Sequence, residues 1–138
     1  MGARHSGRQA ALQMLFQLEA SAVSAERAID LFWRMFEDAD PEGRSYAEQI
    51  VCGVESSLSE IDKKIEEASQ NWRLMRMSRV DRNLLRLGTW ELMFKPDVPR
   101  AVILDESVEL AKSFGSEESS GFVNGVLDRI ASDLGRTA

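Results

Sequence analysis

Helix-capping residues recur along the whole of this chain, and between them apolar residues return at intervals of three and four, never in a sustained two-residue alternation. Such a pattern supports amphipathic helices and little else. Composition agrees where it matters: the 138 residues include only three prolines and nine glycines, and 7% are aromatic, so turn formers and strand formers are both scarce. A hydrophobic fraction of 43% suffices to bury the core of one ordinary domain, and the length is too small for a two-domain enzyme with a large cofactor fold. The expectation is an all-α protein forming a single domain over residues 1–138.

The caps divide the chain into about seven helices. Ser6 with Gln9 makes a capping-box pattern, so the first helix is expected from Gly7 to about Ala20, with residues 1–6 as a flexible basic arm. Ser24 caps a second helix with Ile29, Phe32, Trp33 and Phe36 on one stripe, ended by the run Glu37, Asp38, Ala39, Asp40. Asp40 as cap and Pro41 at the first helical position open a third, whose apolar face is Tyr46, Ile50, Val51, Val54 and Leu58. Ser59 caps a fourth with Ile61, Ile65 and Ala68 inward, and Asn71 to Met77 is a connector that tucks Trp72 and Leu74 into a core. Ser78, with Asp81 at the third helical position, opens the fifth, which Pro96 and Pro99 close. A sixth, from about Arg100 to Ser113, ends at Gly115 as a left-handed cap, and Ser116 or Ser119 opens a seventh with Phe122, Val123, Val126, Leu127, Ile130 and Leu134. Connectors this short imply antiparallel neighbours and bundle packing.

Net charge is −6, but its distribution is uneven. Residues 1–18 carry net +2 from Arg4 and Arg8, and residues 73–86 carry net +4 from five arginines against Asp81, so the remainder holds −12. An acidic chain with two short basic segments is suited to a local anion site rather than to coating nucleic acid indiscriminately. The alternative is that the arginines lie on solvated helix faces.

Catalytic constellations are missing. His5 is the only histidine and lies in the N-terminal arm, so neither histidine acid/base chemistry nor a histidine metal site has a second member. Cys52, the only cysteine, sits between Val51 and Val54, where a small buried hydrophobe is expected rather than a nucleophile. One cysteine also excludes an intramolecular disulfide and fits a reducing cytoplasm. No phosphate-cradling glycine loop is present, and the longest uninterrupted aliphatic stretch, Ala101 to Leu104, is too short for a membrane span. No enzyme, cofactor or metal is expected.

Two stretches stand apart from generic helix. One is Asn71, Trp72, Arg73, Leu74 continuing through Arg76, Met77, Ser78, Arg79, Val80, Asp81, Arg82, Asn83, Leu84, Leu85, Arg86 and Leu87 to Glu91. It reads as a buried tryptophan followed by a capped helix whose apolar stripe is flanked by arginines. The other is VELAKSFG, Val108 to Gly115, followed by FVNGVLD, Phe122 to Asp128. There a glycine-stopped helix leads into another whose start carries Phe122, Asn124 and two glycines that permit close backbone approach.

These stretches resemble the NusB family of bacterial transcription antitermination factors, and the resemblance extends over essentially the whole chain. It implies seven helices in two small packed bundles and a non-catalytic RNA-binding adaptor. The implied partners are single-stranded boxA-type RNA of nascent ribosomal transcripts, the small-subunit ribosomal protein NusE, and the RNA polymerase antitermination complex, all in the cytoplasm. The RNA-binding residues it points to are Arg4, Arg8, Phe16, Arg79, Glu118, Phe122 and Asn124. Their chemistry suits the role, since unpaired bases are read by stacking on aromatics and hydrogen bonding at their edges, with arginines on phosphates. Each has a structural alternative: Phe16 and Phe122 as core, Asn124 as a bridge between helix ends, Arg82 and Arg86 as staples to Glu109 or Glu91. Two other functions compete: a protein-only scaffold whose acidic surface takes a basic ribosomal protein, and a detached NusB-like domain of a ribosomal RNA cytosine methyltransferase.

Overall fold

A computed structural model describes residues 2–35, 40–70 and 72–138. The described residues form seven α-helices and no strand: α1 (Ala3–Ser21), α2 (Ala25–Met35), α3 (Pro41–Ser56), α4 (Leu58–Ser69), α5 (Arg79–Phe94), α6 (Arg100–Phe114) and α7 (Ser119–Asp133). A single 3₁₀ turn, Leu74–Arg76, precedes α5. Phe36, the run Glu37 to Ala39, and Asn71 lie outside the described residues. Among the described residues no helix is long and apolar enough to cross a membrane. The chain divides into two compact units, Met1–Ser56 and Ser57–Ala138.

The N-terminal unit is built on α1 and α3, with α2 packed on both. Two glycines set how closely the long helices approach: a Cβ on Gly7 would lie 2.8 Å from the Gly43 carbonyl oxygen, and one on Gly43 would lie 2.9 Å from the Ala3 carbonyl oxygen. Around this crossing Leu12, Met14, Leu15, Tyr46, Ile50, Val51 and Val54 are buried. Two of the expected caps form. Ser24 Oγ accepts from Arg27 N at 3.2 Å, and Asp40 Oδ1 accepts from Glu42 N at 3.0 Å beside Pro41. Glu55 adds a third contact at the start of α2, its carboxylate accepting from Ala25 N at 2.8 Å.

The start of α1 differs from expectation. It begins at Ala3, with Gly2 in the extended cap position and no side-chain cap bond. Residues 3–6 are therefore helical, because the Gly7–Gly43 crossing holds the first turns of α1 against α3. Cys52 is also not a core residue but exposed, outside the stripe formed by Val51 and Val54.

In the C-terminal unit α5 is the central element, packing against α4, α6 and α7. Every residue from Arg82 to Leu92 is buried. The cap expected at Ser78 is present, with Asp81 N donating to Ser78 Oγ at 3.1 Å. Close packing of α5 on α7 needs Gly88, where a Cβ would sit 2.7 Å from Leu127 Cδ1. Ile61, Ile65, Leu84, Leu85, Leu87, Ile103, Leu127 and Ile130 fill the core at under 2% exposure each.

Three further expectations are corrected here. The fourth helix begins at Leu58 after Ser57, so Ser59 is inside it and Leu58 belongs to α4 rather than α3. Gly115 is not a left-handed cap: its φ is −101°. It is glycine because the Ser119 side chain closes on it, with Ser119 Cβ only 2.6 Å from where a Cβ would be. Trp72 is not tucked into the core but is 53% exposed, while Leu74 is buried as expected.

Candidate nucleic-acid interface

The arginines sort into distinct environments. Arg82 and Arg86 are interior. Arg82 Nη1 donates to the Met77 carbonyl at 2.8 Å and the Leu74 carbonyl at 3.3 Å, fastening the connector to the first turn of α5. Arg86 grips Asp62 of α4 with both ends of its fork, Nε to Oδ1 at 2.9 Å and Nη2 to Oδ2 at 3.1 Å. A planar guanidinium matches a carboxylate in this way and tolerates burial better than an ammonium. Asp62 and the backbone carbonyls of Leu74 and Met77 are thus partners of these arginines beyond the Glu109 and Glu91 that the sequence suggested. Arg73, Arg76 and Arg79 are left exposed.

On the N-terminal unit, Arg4 and Arg8 both stand over one ring, with their guanidinium carbons 4.6 Å and 5.4 Å from the Tyr46 centroid. Spacing of four residues places them on one helix face. Their exposures differ, however. Arg4 is half-buried, whereas Arg8 is only 3% exposed, covered where α1 meets α3. Arg8 therefore contributes to the packing of this unit, and Arg4 keeps part of its charge toward solvent. Phe16 is half-buried. Lying twelve residues beyond Arg4, it is about 18 Å further along the helix axis, so α1 does not bring the two together.

On the C-terminal unit the start of α7 carries Glu118 and Asn124 exposed and Phe122 half-buried. Glu118 occupies the cap position without a side-chain cap bond. Ser119 Oγ instead accepts from Ser116 N at 3.0 Å and closes the turn. Phe122 meets Trp72 edge to face, with ring centroids 6.4 Å apart and planes at 63°. Gly121 and Gly125 have no atom within 4 Å of a notional Cβ, so no close approach within this chain requires them. The expectation of close backbone approach at these glycines is not met inside the unit.

Sequence reasoning missed Trp72 as surface and did not single out Arg73 and Arg76 within the basic segment. The missing signal is tertiary, since a tryptophan in a connector has no helical period to tell which way it faces. Among the described residues no group of histidine, cysteine and carboxylate side chains could hold a metal ion. Burial, reinforced by Glu55, Glu48 and Glu26, pushes the Cys52 thiol up and keeps it protonated, the opposite of what a nucleophile needs.

The NusB family model matches residues 5–132. The chain belongs to the NusB family. Among NusB relatives, the transcription antitermination protein NusB of Sorangium cellulosum is 65% identical, over 99% of this chain and 96% of its own length. That of Myxococcus xanthus is 51% identical, covering 99% of each chain. Of solved NusB structures, that of T. maritima NusB superposes with a TM-score of 0.85 at 39% identity, covering 94% of this chain and 91% of its own. A structure of the antitermination factors NusB and NusE in complex with dsRNA gives 0.88 at 26% identity, covering 96% of this chain and 98% of that one.

Proposed function

We propose that this NusB-family chain is a non-catalytic RNA-binding adaptor of transcription antitermination, acting in the cytoplasm. It pairs with the ribosomal protein NusE, the pair takes boxA-type RNA, and the assembly helps RNA polymerase read through terminators. The observation that carries this reading is the 65% identity, across nearly all of both chains, to a protein named for transcription antitermination. The neighbouring structure that holds NusB with NusE and RNA supports the choice of partners. This reading is favoured over both the protein-only scaffold and the methyltransferase domain.

The surface residues suit single-stranded RNA. On the N-terminal unit Arg4 offers charge to phosphates, with Phe16 as a further contact. On the C-terminal unit Phe122 offers a ring, Asn124 an amide able to pair with a base edge, Arg79 a cation, and Glu118 an acceptor for exocyclic amino groups. Arg8, buried over the Tyr46 ring, acts through the packing of this unit.

The test is binding of a boxA-type oligoribonucleotide to the chain, with and without NusE, at two salt concentrations. Tighter binding in the presence of NusE, weakening as salt rises, is the expected result. Failure to form any complex with NusE, together with RNA affinity indifferent to its addition, would count against the adaptor role.

A further inference from the structure

Trp72 is the anomaly of the C-terminal unit. A tryptophan carries about 150–250 Å² of surface that a fold normally hides, yet this ring is 53% open to solvent, and Met75 in the same connector is 74% open. The backbone around it is nevertheless fixed. Trp72 N donates to the Ser69 carbonyl at 3.2 Å, and Ser69 Oγ donates to the Trp72 carbonyl at 2.9 Å. On the other side, buried Arg82 holds the carbonyls of Leu74 and Met77. The ring itself rests edge-on against Phe122. An exposed aromatic on a pinned backbone is a preorganised contact surface, because little order remains to be imposed when a ligand arrives.

Its surroundings indicate what that ligand is. Arg73, Arg76 and Arg79 are all exposed within the same short segment, in a chain whose net charge is −6. A flat apolar ring beside several cations matches a nucleotide, which presents a π-face and an anionic phosphate together. The 63° between the Trp72 and Phe122 planes makes a corner rather than a parallel slot. A base stacked on one ring meets the other with its edge.

Resting on the RNA-binding reading above, we propose that Trp72 is a base-stacking platform for the single-stranded RNA, with Arg73 and Arg76 holding the flanking phosphates. Trp72→Ala should weaken binding of a boxA-type oligoribonucleotide roughly 5- to 150-fold, the equivalent of about 1–3 kcal/mol for one stacked base. The slope of log affinity against log salt should stay as in the unaltered protein. Trp72→Phe should recover most of the affinity. The double change Arg73→Ala with Arg76→Ala should lower that slope by about 1.4, near 0.7 for each phosphate contact in a single strand.

Should Trp72→Ala not fold, intrinsic fluorescence of the unaltered chain answers the same question. Added RNA is expected to quench the emission, and the quenching should vanish in Trp72→Phe although that variant still binds. Wild-type affinity in folded Trp72→Ala, or RNA binding with no quenching in the unaltered chain, would overturn the platform while leaving the adaptor reading intact. No RNA binding by the unaltered chain, with or without NusE, would overturn both.

Discussion

Arginine is one residue type used here in three ways, and single substitutions should separate them. Arg86 binds Asp62 with side chains only 11% and 22% exposed, so removing it leaves a carboxylate poorly solvated and unpaired. Arg86→Ala should cost about 3 kcal/mol of stability, the low end of the range for breaking buried pairs, since Asp62 keeps some solvent. Urea unfolding measures it, and a loss below about 1 kcal/mol, the range of exposed pairs, would contradict it. Arg4→Ala should leave folding nearly unchanged and lower the RNA salt slope by about 0.7. Arg8→Ala should do the reverse, because its guanidinium is buried over Tyr46. The basic character of both positions was legible in the sequence. Their division into one solvent-facing and one packed arginine was not, because it depends on where α3 lies.

At the scale of elements, the caps that form at Ser24, Asp40 and Ser78 were readable because each is a bond between a side chain and an amide two or three residues away. Features fixed by a partner helix were not readable. The start of α1 at Ala3, the role of Gly115 and the exposure of Trp72 all depend on elements remote in sequence or on a side chain closing from the next helix. Gly7 tests the first of these. Gly7→Ala pushes a methyl toward a backbone carbonyl 2.8 Å away, which cannot rotate aside as a side chain would. A loss of about 1–3 kcal/mol is expected, as for other overpacked sites, although alanine is the better helix former. A gain in melting temperature would show that α1 and α3 do not cross there. The end of α1 offers a test of opposite sign. Ala22 closes the helix with a left-handed φ of 52°, which glycine adopts without strain. Ala22→Gly should therefore stabilise the protein by up to about 1 kcal/mol, the offset between relieved strain and a more flexible unfolded chain.

For the whole molecule, the sequence identified an all-helical NusB-family protein, and the structure adds how its ends are secured. Arg136, beyond α7, donates to the carbonyls of Glu91, Leu92, Lys95 and Val98, satisfying the open end of α5 and the turn after it. Arg100 in turn donates to the Arg136 carbonyl and to Asp128, tying α6 to α7 and the C-terminal segment. No periodic signal marks such contacts, because they are made by residues outside or at the edge of the helices. The function is a property of the assembled chain. A transcription reaction with RNA polymerase, NusE and the remaining antitermination factors, run through a terminator on templates with intact or scrambled boxA, examines it most directly. Adding this chain should increase full-length transcript from the boxA template alone, whereas equal read-through with and without it, or equal gains on both templates, would contradict the adaptor role.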